Sequence, residues 1–257
     1  MRPNDALANL RPRLSRNGRA RETIRGWQLW IPAGVAGQYR LAQLDDYAGR
    51  LRSAYPWRPP LTLSLRARVS ASGLPGTWGF GLWNDPYGFS CGPGDTLLRL
   101  PALPHAAWFF SASPRSYLSL RDDGVANGFY AQVLQSPGLD RRLLETALAL
   151  PFAPRRARRT LSRIIREDAA TVGSDPTEWH QYEIQWQQQA TGFTVDGRVL
   201  MESGLSPKPP LTLVIWIDNQ FAAFDPSGRL VWGTENSPNE AWLELEELSC
   251  RPAHGAG

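Results

Sequence analysis

Cysteine, methionine, histidine and lysine are all scarce in this chain of 257 residues: two Cys, two Met, three His and, among 28 basic residues, Lys208 as the sole lysine. Cys91 and Cys250 make neither a metal-binding spacing nor a dense disulfide framework; they are two unlinked thiols or a single pair. His105, His180 and His254 are too scattered for a zinc site, so neither a metal nor a cofactor is expected. Long apolar runs are missing as well. The uncharged stretch Leu100–Pro114 is broken by Pro101, Pro104 and Pro114, whereas a membrane-spanning helix needs about 20 apolar residues. No apolar stretch follows the basic N-terminus, which argues against a cleavable leader and makes a cytoplasmic protein the expectation. Phosphate-binding loops and dinucleotide fingerprints are absent too.

What is present points to an all-β body. The chain is 42% hydrophobic and 20% charged, enough to bury a full core, and it carries 23 Gly, 22 Pro and 11 Trp. The net charge of +4 is unevenly spread: residues 1–25 carry +5, residues 138–168 carry +4, and the remainder sums to −5. The basic character thus belongs to two appendages on a mildly acidic body. Nucleic-acid binding would require a broad basic face and a reader motif, and no such motif occurs, so no nucleic-acid partner is expected. The appendages read either as a solvated helix face and a loose tail or as a contact for an anionic partner such as lipid head groups.

Strand after strand follows Gly26. Leu61, Leu63, Leu65, Ala67 and Val69 alternate with Thr62, Ser64, Arg66, Arg68 and Ser70, the period of a half-buried strand. Ala106–Ala112 reads as a strand buried on both faces. His180, Tyr182, Ile184 and Trp186 alternate with Gln181, Glu183, Gln185 and Gln187, and Asp196-Gly197 then signals a tight hairpin. Leu211, Leu213, Ile215 and Ile217 form a strand face opposed by Thr212, Val214, Trp216 and Asp218, and the last strand is Trp242–Leu248. Only 138–168 breaks the pattern. Helical spacing over Leu139–Leu150 and again from Pro154 through Ala157, Leu161, Ile164 and Ile165 predicts two short amphipathic helices. They pack on a sheet, or they serve as a lid or membrane-surface element through an Arg-rich helix, Arg155–Arg166. The expected organisation is a flexible basic segment 1–25, one β-sandwich domain 26–250 with the helical insertion, and a tail 251–257.

The segment Trp179-His180-Gln181-Tyr182-Glu183-Ile184-Gln185-Trp186, followed by Phe193-Thr194-Val195-Asp196-Gly197, resembles a hairpin of family 16 glycoside hydrolases and of wider concanavalin A-like lectin and glucanase domains. Gly76–Trp83 upstream, and Pro210–Ile217 and Trp242–Leu248 downstream, are similar to that family's strands in the same order. The resemblance spans roughly residues 58–250, less the insertion. It implies a jelly roll of two curved antiparallel sheets whose concave face binds a linear ligand, a glycan in the first instance.

The family's catalytic strand carries E-x-D-x-(x)-E, which sets two carboxyls about 5 Å apart for retaining hydrolysis. The corresponding segment here, Ala106–Ser113, contains no acid, and the adjacent Asp122 and Asp123 would point to opposite faces of a strand. Retaining glycosidase chemistry is therefore not expected. Gly88-Phe89-Ser90-Cys91-Gly92 matches a nucleophile elbow, but Pro93-Gly94-Asp95 follows it where a helix is needed. The candidate ligand-binding residues are Trp83, Trp108, Tyr130, Gln132, Trp216, Asp218 and Asn219. Trp83, Trp108 and Trp216 would lie on the concave face by the resemblance, or would fill the core; Asp85, Asp218 and Asn219, polar groups at strand ends, either cap loops or touch the ligand. Glu244, Glu246 and Glu247 read as a solvated strand face. Should the protein be an enzyme, Asp85 or Asp218 would act as a lone acid on a lipid or terpenoid in a dry groove, where a carboxyl's pKa rises. A glycan-binding pseudoenzyme, such an acid catalyst, and a membrane-surface or scaffold protein are the three readings left open.

Overall fold

The alternation along Leu61–Val69 becomes a strand whose odd-numbered side chains are buried and whose even-numbered ones are half-buried. The computed structural model describes residues 7, 9–86, 102–117, 119, 124–137, 154–224 and 229–252; at 154–157 and 159 only the backbone is described. In chain order the strands are β1 (Arg11–Ser15), β2 (Arg19–Glu22), β3 (Gly26–Ile31), β4 (Leu41–Asp45), β5 (Leu61–Val69), β6 (Thr77–Trp83), β7 (Ala106–Ala112) and β8 (Gly128–Gln135). Helix α1 (Pro154–Ile164) precedes β9 (Arg166–Thr171), β10 (His180–Trp186), β11 (Thr191–Val195), β12 (Arg198–Ser203), β13 (Thr212–Asp218), β14 (Gln220–Phe224), β15 (Leu230–Thr234) and β16 (Ala241–Pro252).

Two seven-stranded antiparallel sheets form a sandwich. The front sheet runs β1-β4-β13-β6-β7-β8-β9 and the back sheet β12-β11-β10-β5-β16-β3-β2, with β14 and β15 as a separate hairpin. Both sheets draw strands from the whole length of the chain, so neither is a separable unit. Alternate residues of each strand meet between them: Ile215 and Ile217, Phe80 and Leu82, Phe109, Ala131 and Val133 from the front, and Leu63, Leu65, Ile184, Trp186, Phe193 and Leu243 from the back. Burial of apolar area at about 25 cal/mol per Å² makes this the dominant stabilising contact.

Three expectations need correction. Residues 11–15 and 19–22, assigned to a flexible basic segment, are edge strands: β1 pairs with β4 and β2 with β3. Their arginines occupy the solvent-side positions of strands that an apolar-periodicity test overlooks. Among the described residues the insertion holds one helix of any length, α1; the helix expected over 139–150 lies outside the described residues. Arg166 belongs to β9, not to a helix, and its guanidinium donates to Gln135 at 3.3 Å.

The Asp196-Gly197 turn links β11 to β12 with positive φ at both residues, 51° and 73°, as its residue types favour. Asp196 also accepts from the Gln181 amide at 2.9 Å and lies 2.6 Å from His180 Nδ1, which ties this turn to β10. Replacing Asp196 by Ala should cost about 1–2 kcal/mol through these lost bonds. An unchanged urea midpoint would show that the turn does not depend on them.

The outward face of the back sheet has its tryptophans capped by cations. Arg68 stands 4.9 Å from the Trp179 ring and 5.4 Å from that of Trp242, and pairs with Glu244 at 2.7 Å. Arg19 covers Trp30 at 5.0 Å. Glu244 and Glu246 thus work as ion-pair partners of Arg68 and Arg66 on the strand face expected to be solvated. Cys250 is a buried free thiol.

Candidate ligand-binding face

Strand registers place the outward residues of the front sheet in rows. One row reads Arg11, Asp45, Val214, Gly81, Trp108, Gln132 and Ala169 across β1, β4, β13, β6, β7, β8 and β9. The next reads Arg13, Gln43, Trp216, Gly79, Phe110, Tyr130 and Thr171, and the one beyond it contains Leu41, Asp218, Thr77 and Ala112. Trp83 lies on the opposite side of the first row, beside Thr212 and Ala106.

These rows bring six of the seven candidate residues onto one face, with Asp218 in the last row, and Phe110 joins them. Ring centroids are 6.2 Å apart for Trp83–Trp108, 5.2 Å for Trp108–Phe110, 5.7 Å for Trp108–Trp216, 5.5 Å for Phe110–Trp216 and 5.5 Å for Phe110–Tyr130. All are tilted pairs within the range in which aromatic contacts are favourable. Glycine makes the arrangement possible. In Trp78-Gly79-Phe80-Gly81-Leu82 the large residues fill the core, while a Cβ at Gly79 would come within 2.8 Å of the Trp216 ring. The rings shield one another: Phe110 is 7% and Trp216 8% exposed, whereas Trp83 and Trp108 remain half-buried.

Polar groups hold this carpet in place. The Trp108 indole donates to Gln132 Oε1 at 2.8 Å, and Gln132 donates in turn to Glu167 at 3.0 Å. The indole of Trp216 donates to Thr77 Oγ1 at 2.9 Å, whose hydroxyl donates to Asp218 Oδ1 at 2.9 Å. Opposite Trp216, Gln43 donates to Asp45 at 2.8 Å and to the hydroxyl of Tyr47 at 3.1 Å, the Tyr47 ring lying 6.1 Å from that of Trp83. Arg13 pairs with Asp45 at 3.2 Å while covering the Tyr47 ring at 4.9 Å. Burial pushes Asp45 up despite that ion pair. Burial and the nearby Glu167 carboxylate likewise push Tyr130 up. The Trp83 indole N–H is buried with no acceptor among the described residues.

The other candidate residues serve different ends. Asn219 is fully buried; its oxygen accepts from the Arg40 amide at 2.8 Å and its amide donates to the Gln38 and Glu235 carbonyls, both at 3.0 Å. It pins loops together and does not face the aromatic rings. Asp218 accepts from four donors, namely the Thr77 and Gln220 amides, the Thr77 hydroxyl and the Tyr39 hydroxyl. Burial nevertheless pushes it up to about 6. Asp85 is 4% exposed in a turn at φ 47°, and its carbonyl accepts from Arg52. The nucleophile-elbow segment at Ser90, Asp122, Asp123 and His254 lie outside the described residues. Asp45, Gln43, Arg13, Thr77 and Glu167 escape a sequence reading, because each joins the face only through a long-range register, whereas Phe110 shares the strand parity of Trp108 two residues away. The alternation of Gly79 and Gly81 with large residues was the available signal, since outward glycines leave room for rings from neighbouring strands.

Among the described residues no cluster of three or more His, Cys, Asp or Glu could hold a metal ion, and no helix is long and apolar enough to cross a membrane.

No family model matches the chain, and no curated protein does. Its fold is similar to a legume lectin-like domain from Entamoeba histolytica, with 11% identity, a TM-score of 0.47 and coverage of 99% of this chain and 94% of that one. It is also similar to the Crh5 transglycosylase, with 14% identity, a TM-score of 0.48 and coverage of 99% and 83%. A carbohydrate-binding module from Bacillus subtilis gives 8% identity, a TM-score of 0.40 and coverage of 95% of both chains. Likenesses this distant transfer no function.

Proposed function

We propose that the outward face of the front sheet is a saccharide-binding surface on a single concanavalin A-like jelly-roll domain. One observation carries the reading: five aromatic rings in mutual contact on a sheet face turned away from the core. The outer face of an antiparallel sheet is ordinarily polar; here Phe110, Tyr130 and Trp216 are buried and support Trp83 and Trp108, which stay accessible as the apolar contact for a ligand. The C–H face of a pyranose stacks on the half-buried Trp83 and Trp108, while Gln132, Glu167 and Gln43 are fixed hydrogen-bond partners beside them. Hydrolysis by a carboxylate pair on β7 is not part of this proposal, because the outward positions of that strand are Ala106, Trp108, Phe110 and Ala112.

Acid catalysis on a lipid or terpenoid is the second reading, favoured by the raised pKa of Asp218. Against it, both carboxyl oxygens already accept hydrogen bonds from the protein. A membrane-surface role for the Arg-rich helix is weakened at Arg158, which donates to the Ser119 carbonyl at 3.0 Å and covers the Phe224 ring at 5.0 Å.

Isothermal titration with cellohexaose, laminarihexaose, xylohexaose and chitohexaose tests the leading reading. At least one should bind, and Trp108→Ala should weaken it about tenfold or more, a loss of about 1.4 kcal/mol, while unfolding remains cooperative. Silence from all four at millimolar concentration would remove the saccharide reading.

A further inference from the structure

We propose that Asp218 is a positioning residue for the front face: through Thr77 it holds the Trp216 indole in place and makes that placement depend on its own ionisation. The inference rests on reading this face as the binding surface, and it names a regulation of that site.

Trp216 leaves β13 and lies across β6, where the missing side chain of Gly79 makes room for its ring. At the far edge of the indole, Nε1 donates to Thr77 Oγ1 at 2.9 Å. A hydroxyl has one proton to give, and that of Thr77 goes to Asp218 Oδ1 at 2.9 Å. The direction of the relay is therefore set from the carboxylate: Asp218 accepts from Thr77, which leaves the Thr77 lone pairs aimed at Trp216. Oδ1 also accepts the Thr77 amide at 3.2 Å and the Gln220 amide at 3.0 Å, and Oδ2 accepts the Tyr39 hydroxyl at 3.2 Å.

Hydrogen bonds to an ionised carboxylate are roughly twice as strong as neutral ones. Protonation of Asp218 places the new proton at Oδ2, where Tyr39 must turn from donor to acceptor, and reduces the Thr77 bond to a neutral one. Trp216 then loses much of its anchor. Among the described residues the neighbours that could disturb this titration are few. Leu41 of β4, Thr77 of β6 and Gln220 of β14 carry no charge. The Arg40 guanidinium is turned to the Gly34, Val35 and Glu235 carbonyls and the Ser237 hydroxyl, and Glu235 is engaged by Ser113. Among the described residues Tyr39 is the remaining titratable group, and it is bonded to Asp218 itself. Burial brings Asp218 to about 6, so the relay operates near neutral pH.

The indole 15N–1H resonances of the full chain, followed from about pH 4.5 to about pH 7.5, read this directly without a ligand. The Trp216 signal is assigned by its loss in Trp216→Phe. It should shift with the same midpoint as the Asp218 side-chain carboxyl carbon. Thr77→Ser should retain the titration and Thr77→Val should abolish it, while Asp218→Asn should leave the signal independent of pH. If Asp218→Asn does not fold, the two Thr77 variants decide alone. A flat Trp216 signal in the parent protein, or a titration that persists in Thr77→Val, overturns the proposal. Affinity for whichever of the four hexasaccharides binds should fall on the order of threefold at acidic pH in the parent protein and not in Thr77→Val. A titrating indole with no hexasaccharide bound removes the binding reading and leaves the positioning role intact. Binding that varies with pH over a flat indole signal does the opposite.

Discussion

The free energy of unfolding should fall as the pH rises from about 4.5 to about 6, with maximum stability on the acid side of neutrality. Two buried carboxyls produce this. Asp46 is 3% exposed and accepts from Trp57 Nε1 at 2.6 Å, from the Leu213 amide at 3.0 Å and from the Thr212 hydroxyl, and burial pushes it up to about 6. Asp218, 5% exposed, is pushed to the same value by the same cause. The ordinary value of both is 3.8. Between that value and about 6 the folded state binds more protons than the unfolded one. The stability these groups contribute is complete below the unfolded value and is lost as pH climbs through the folded one. Two pKa units at about 1.4 kcal/mol each put about 3 kcal/mol on each group at full effect. Asp175, held low by the Thr177 amide and hydroxyl, works the other way only below the ordinary carboxylate range. His105, pushed down to about 4 by burial and the nearby Lys208, opposes the two carboxyls as pH rises from there toward the ordinary imidazole value and offsets part of their effect. Urea denaturation at a series of pH values measures the curve. A stability that rises over this interval would sink the assignment, and Asp218→Asn should make the fall markedly shallower.

Gly79→Ala and Gly81→Ala should each destabilise the protein by about 3 kcal/mol or more, the upper end for overpacking. A Cβ at Gly79 would stand 2.4 Å from the Phe109 carbonyl oxygen and 2.8 Å from Trp216 Cη2. At Gly81 it would meet the Ala107 carbonyl oxygen and Trp108 Cα, both at 2.5 Å. Backbone atoms of β7 cannot withdraw without parting β7 from β6, so rotamer changes bring no relief. Gly73 and Gly204 have open space where the new methyl would go, and their alanine variants should stay within about 0.5 kcal/mol of the parent. Urea midpoints of the four variants test the contrast. A Gly79→Ala protein as stable as Gly204→Ala would mean that β6 and β7 are not so closely apposed.

The strands most legible in the sequence were those with one apolar and one polar face, such as Leu61–Val69 and His180–Trp186, together with the Asp196-Gly197 turn. Their local chemistry and tertiary role agree. β1 and β2 were hidden because Arg11, Arg13, Arg19 and Arg21 give an edge strand the composition of a loose tail. For the candidate face, the resemblance nominated Trp108 and Trp216 and strand parity paired Tyr130 with Gln132, and the registers set these four on one side of the front sheet. Parity said nothing of Arg13 and Asp45, which come from strands far away in sequence. It also could not tell Asn219, clipped between loops, from a residue facing the rings.

The sequence by itself therefore determined an all-β chain, the period of its strands and the sets of side chains that share a strand face, because these depend on neighbours two residues apart. Which set turns toward the second sheet, and which forms an aromatic surface outside it, was decided only in three dimensions. That choice rests on strand order and register. These bring Trp216 over Gly79, Gln132 to Trp108 and Thr77 to Asp218, three contacts between separate strands that no local pattern specifies.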